Sequence, residues 1–140
     1  LGAMGRINRR IVLDTNLWIS FLISKNFSSL DQLIFSRNTS LIFSNELLEE
    51  FVAVASRPKF KKIINQDDLI AILEIIEREA EFFDVTSQVD MCRDKKDNFL
   101  LSLAIDSDAD FLITGDEDLL ELKSIESTKI ISMKEFTNLS

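Results

Sequence analysis

Short aliphatic blocks bounded by polar residues alternate along this chain with longer stretches of helical period, the pattern of a parallel α/β sheet. The first expected strand covers residues 10–13 and ends at Asp14. Helical spacing follows over 17–23 and 29–36, the latter with Leu30, Leu33 and Ile34 on one face. Residues 40–43 read as a second strand. Ser44 then supplies an N-cap, and Leu47, Leu48, Phe51, Val52 and Ala55 trace an apolar stripe that should stop before Pro58. Another helix is expected over 67–81, with a third strand at 82–85. Asp97 opens a helix through Ile105, residues 111–114 form a strand ahead of Gly115 and Asp116, and 118–120 a short helix. A closing strand at 128–131 leads to a helix over 132–139, with Ser132 as N-cap and Glu135 three residues on.

The length of 140 residues suits a single domain, here residues 6–140. The opening Leu1, Gly2, Ala3, Met4 and Gly5 carry no core pattern and read as a cloning remnant, with the native chain starting near Arg6. No apolar run approaches the roughly 20 residues of a membrane span, so no membrane partner is expected. The absence of histidine excludes the Ser-His-Asp and Cys-His nucleophile pairs, the imidazole base and His-ligated zinc. Cys92, the single cysteine, can form neither an internal disulfide nor a thiolate site, which fits a reducing, cytoplasmic setting. With Lys+Arg 16 against Asp+Glu 24, the chemistry left open is that of carboxylates and the hard cations they bind.

The acids are informative by position. Asp14 and Asp116 each follow an expected strand, and ligands of open α/β sheets bind outside the strands' carboxyl ends. Either residue alone is equally well read as a helix cap or Asx-turn. Asp97, with Asp94 before it, can reach the same rim, as can Glu49 or Glu50 in the helix after the second strand. Acids gathered there would repel one another and raise their own pKa values unless a cation lay among them. A divalent ion in that place can activate water and stabilise charge on a phosphoryl oxygen, chemistry that needs no histidine.

Four segments in order carry a family resemblance: Val12-Leu13-Asp14-Thr15-Asn16; Glu49-Glu50-Phe51 ahead of Ser56-Arg57-Pro58; Asp94-Lys95-Lys96-Asp97-Asn98; and Thr114-Gly115-Asp116-Glu117-Asp118-Leu119. Together they resemble the PIN domain, most closely its branch of VapC-like toxins of toxin-antitoxin pairs. The resemblance implies a three-layer α/β/α, Rossmann-like fold around a mostly parallel sheet of four or five strands. It also implies an endoribonuclease in which Asp14, a helix glutamate, Asp97 and Asp116 surround Mg²⁺ or Mn²⁺. Glu50 is the preferred glutamate because the family's acid directly precedes an apolar residue, as Glu50 precedes Phe51; Glu49 is the alternative. Asp118 looks like an accessory metal ligand, and Asn16 and Thr114 like polar groups that orient the ligands. Ordinary turn hydrogen bonding is an equal reading for Thr114, and a cap at the helix dipole the favoured one for Asp94. A cognate antitoxin and a homodimer are the partners implied.

Two basic clusters, Arg57, Lys59, Lys61 and Lys62, then Arg93, Lys95 and Lys96, are candidates for contacting RNA phosphates if they flank the acidic rim, and a solvated face is an equal reading of either. A net charge of -8 opposes general nucleic-acid binding, so only local placement can supply it. Trp18 and Phe21 read as core or subunit contact and Cys92 as an inert side chain. Two other readings compete: a non-catalytic binding module of the same fold, and a haloacid-dehalogenase-like or receiver domain with Asp14 as nucleophile. Against the latter, Asn16 stands where the dehalogenase pattern requires a second aspartate.

Overall fold

The computed structural model describes residues 8–34 and 38–139. The proposed remnant and start site therefore lie outside the described residues, as do the end of the helix expected over 29–36 and the facing of Leu33 and Ile34. Among the described residues six strands form one sheet in the order β3-β2-β1-β4-β6-β5. β1 (Arg9–Leu13) lies between β2 (Thr39–Phe43) and β4 (Phe111–Ile113), and all pairings are parallel except that of β5 (Ser124–Ile125) with β6 (Thr128–Ile131). Ile11, Val12 and Leu13 are buried in succession, as are Leu41, Ile42 and Phe43. Successive burial means that both faces of these strands are covered, the reason they read as unbroken apolar runs instead of alternating ones.

The chain winds outward from β1 to β2 to β3 (Glu81–Phe82), then returns to lay β4 on the other side of β1. Helices make these crossovers, as parallel neighbours require. α1 (Thr15–Ser24) and α2 (Phe27–Ile34) join β1 to β2, and α3 (Asn45–Ala55), α4 (Pro58–Lys61) and α5 (Gln66–Glu79) join β2 to β3. α6 (Lys95–Asp106) returns the chain to β4, α7 (Glu117–Leu122) follows it, and α8 (Met133–Thr137) closes the chain. Trp18 is fully buried against Phe43 and Phe51, with ring centroids 5.7 and 5.9 Å away, and Phe21 joins the same core. No helix among the described residues is long and apolar enough to cross a membrane.

The differences from the expected elements have local causes. The sheet has six strands, not four or five, because the hairpin into β6 was not legible. Its turn uses Glu126 at φ 51°, without the Gly or Asn that usually marks such a turn. β3 begins a residue early and lasts two residues, since Ala80 already leaves the helical conformation that the Glu-rich stretch through Glu81 suggests. α5 starts at Gln66, with the Asn65 side chain accepting from the Asp67 and Asp68 amides. Pro58 both stops α3 and opens α4, its preset φ and missing N–H suiting a helix start. α6 opens at Lys95, two residues before Asp97. At α8 the Ser132–Glu135 capping box forms as the sequence predicts.

Candidate active site

The order of strands reverses between β1 and β4, and the two chain segments leaving their carboxyl ends there carry Asp14 and Asp116. Each serves as the N-cap of the next helix. Asp14 Oδ1 accepts from the Asn16 amide at 3.2 Å, and Asp116 Oδ1 accepts from the Leu119 amide at 3.2 Å. Thr114, fully buried, ties the two together: its Oγ1 donates to Asp14 Oδ2 at 2.7 Å and accepts from the Asp116 amide at 3.0 Å. A hydroxyl with one donor and two lone pairs suits this double role. The capping reading and the site reading are thus compatible, because each carboxylate keeps a second oxygen or lone pair directed by the same turn.

α3 and α6 bring the remaining groups. A cleft of about 190 Å³ is lined by Asp14, Asn16, Glu50, Val54, Arg57, Asp94, Lys96, Asp97, Leu100 and Asp116. Among the described residues its lining thus holds five acids against two bases, so the cleft is a local well for cations. Glu50 is half-buried, and its Oε1 lies 3.9 Å from Lys96 Nζ, across from α3 to α6. Asp94 caps α6, its Oδ1 accepting from the Lys96 amide at 2.9 Å. Asp97 is buried in the first turn of that helix, at 6% exposure.

Burial and mutual repulsion both act on these acids. Burial is the main cause that raises the Asp97 carboxyl from the usual 3.8 to about 6, followed by repulsion from Asp116, Asp94, Asp14 and Asp118. Asp14 is also raised, by burial first, although the hydrogen bonds from Thr114 and Asn16 pull the other way. Glu50 is raised by burial, partly offset by Lys96. Cys92 lies close enough to feel Asp97, Asp118, Asp116 and Asp94, but burial leads in pushing its thiol up, away from a reactive thiolate.

Of the acids singled out in the sequence, Asp14, Glu50, Asp94, Asp97 and Asp116 line the one cleft. Glu49 is exposed and outside its lining, and Asp118 is exposed and acts on it only through its charge. Of the basic candidates, Arg57 and Lys96 line the cleft, whereas Lys59 lies over the Phe60 ring at 4.8 Å and Lys95 faces solvent. Among the described residues no group of three or more Asp, Glu or Cys side chains is arranged so that it could by itself hold an ion. The carboxylates of the lining are the hard oxygen donors that a divalent cation such as Mg²⁺ takes, directly or through the waters it keeps.

One supporting feature escaped sequence reading. Asn98, Ser102 and Asp106 recur every four residues, hence on one face of α6, and hold the extended segment that leads into it. Asp106 Oδ2 accepts from the Thr86 and Ser87 amides at 2.6 and 2.9 Å, with a further bond from the Ser87 hydroxyl. Ser102 Oγ accepts from the Val89 amide at 3.0 Å. Asn98 accepts from the Met91 and Cys92 amides at 3.0 and 2.8 Å and donates back to the Cys92 carbonyl at 2.8 Å. Polar residues at every fourth position, in and around the apolar run from Phe99 to Ile105, were the available signal. The ladder fixes the approach of Asp94 and Asp97 to the cleft.

Comparison with known proteins places the chain among relatives. The family model described as PIN domain matches residues 10–118. An uncharacterized protein of Methanocaldococcus jannaschii is 31% identical over 123 residues, covering 86% of this chain and 79% of its own length. The fold resembles a chain in the crystal structure of VapBC2 from Rickettsia felis bound to a DNA fragment from their promoter. That likeness has a TM-score of 0.57 at 16% identity, covers 88% of this chain and 98% of the other, and speaks to the fold.

Proposed function

The chain belongs to the PIN-domain family, and from that premise we propose that it is a metal-dependent endoribonuclease, the toxin of a cytoplasmic toxin-antitoxin pair. The observation that carries the reading is the convergence of acids from α3, α6 and the segments that follow β1 and β4 on one cleft at the sheet's switch point. Asp14, Glu50, Asp97 and Asp116 would hold Mg²⁺ or Mn²⁺, with Asp118 and Asp94 adding negative charge from nearby. When bound, such an ion supplies water activation and charge stabilisation at a phosphodiester. The protein's own groups do the rest. Thr114 holds Asp14 Oδ2 in a fixed direction, and Asn16 holds its other oxygen through the backbone. Arg57 and Lys96 supply the positive charge for RNA phosphates, with Lys59 and Lys95 further out. Val54 and Leu100 contribute the apolar wall.

An antitoxin that covers this cleft would silence the enzyme. The VapBC2 likeness supports a partner of that kind, and homodimerisation is proposed with it on the family resemblance alone. A binding module without catalysis is the second reading: the acidic lining would then attract a cation or a basic partner without turning over RNA. One experiment separates them: incubation of single-stranded and structured RNA with the purified protein and Mn²⁺ or Mg²⁺. The nuclease reading expects cleavage that stops in EDTA and falls by about a hundredfold or more in Asp14→Asn with the fold intact. Full activity in EDTA or in that variant would refute it. The absence of both cleavage and millimolar Mn²⁺ binding would leave the scaffold role.

A further inference from the structure

Among the described residues Lys96 is the one lysine that lines the cleft, and it sits beside an acid that the proposed chemistry needs. Its Nζ lies 3.9 Å from Glu50 Oε1, with the two side chains 52% and 24% exposed. That separation exceeds hydrogen-bond length, so the attraction is loose and exchangeable. The backbone beneath it is not loose: the Lys96 amide is fixed by the Asp94 cap at 2.9 Å. A compact charge on a flexible four-carbon stem is therefore free to swing about an anchored point. The neighbouring Lys95 carries the same charge but faces solvent outside the cleft.

We infer that Lys96 is an internal counter-ion that holds Glu50 until a divalent cation arrives, then moves its charge to a phosphate of the substrate. The inference rests on the nuclease reading above and concerns how the cleft trades one cation for another. With five acids and two bases in the lining, removal of either base leaves the cleft more negative. A cation taking Glu50 must displace Lys96, and the released ammonium stays within the cleft, where the phosphate enters. Lys96 is thus a positioning and binding residue with opposite effects on the two ligands. A merely structural bridge between α3 and α6 would not take part in phosphate binding, so the effect on RNA is the one it cannot produce.

The test is calorimetric titration of Mn²⁺, without RNA, into the wild type, Lys96→Met and Lys95→Met. Lys96→Met should bind Mn²⁺ about three- to fivefold more tightly, whereas Lys95→Met should match the wild type, as expected for loss of one solvent-exposed pair. With RNA, Lys96→Met should raise KM with kcat little changed, and lower the salt slope of log KM by about one. Equal Mn²⁺ affinity in all three proteins, or an equal gain in Lys95→Met, would overturn the inference while wild-type cleavage left the nuclease reading standing. No Mn²⁺ binding by any of them would overturn both.

Discussion

Replacing Asp97 by Asn should stabilise the metal-free protein while harming its function. Asp97 is buried at 6% exposure and its carboxyl is raised to about 6, by burial first and then by Asp116, Asp94, Asp14 and Asp118. A carboxyl raised on folding binds its proton more tightly in the native than in the unfolded chain, so stability falls as pH rises. The loss begins near the unfolded value of 3.8 and is complete above about 6. The span between those values corresponds to on the order of 3 kcal/mol for an isolated group, and sharing among coupled acids reduces what one substitution recovers to about 1–3 kcal/mol. Asparagine keeps the shape and removes the charge. Thermal unfolding in EDTA at about pH 7.5 should show Asp97→Asn melting roughly 3–10 °C above the wild type, with the gap nearly closed at about pH 4. Added Mn²⁺ should reverse the order, because the wild type gains binding energy that the variant loses. A variant no more stable than wild type in EDTA near neutral pH, or one with the same advantage at low pH, would refute the electrostatic account.

Two more substitutions test the scaffolding. Asn98→Ala removes the bonds to Met91 and Cys92 and should destabilise the protein by about 2–4 kcal/mol in urea titration. The Met91 and Cys92 amides should then exchange hydrogen faster while those of β1 keep their protection relative to global stability, and unchanged exchange at 91 and 92 would count against the ladder. Thr114→Val keeps the volume but takes the donor from Asp14 Oδ2 and the acceptor from the Asp116 amide, at a cost of about 1–3 kcal/mol in the same titration. Thr114→Ser should restore most of the loss, and failure of that rescue would show that the methyl group, not the hydroxyl, matters.

Much of the architecture was legible in the order of residues. Runs such as Ile11 to Leu13 and Leu41 to Phe43 are apolar because helices cover both faces, so strand identity and the parallel class came through together. Caps at Ser44 and Ser132 were equally visible, since capping is a contact between neighbours in sequence. Short elements were not. Two-residue strands like β5 carry no period, and Glu126 gives no sign that it will take a positive φ. The Asn98, Ser102 and Asp106 ladder was written in the sequence at helical spacing, but nothing local says that polar side chains at those positions will meet an extended backbone instead of water.

By itself the sequence determined which chemistry is possible. A chain with no histidine and one cysteine has carboxylates to offer, and two of these follow strands whose ends face a common rim. Tertiary structure decided which acids share a cleft. It brought Glu50 into the lining and left Glu49 outside, because α3 packs through Leu47, Phe51 and Val54, and that packing turns one of two adjacent residues inward and the other to solvent. It likewise set Lys96 rather than Lys95 opposite Glu50. Neighbours one residue apart on a helix point about 100° from each other. Which of them meets the acids depends on how the helix is rotated against the core, and that rotation is fixed by packing among residues distant in the chain.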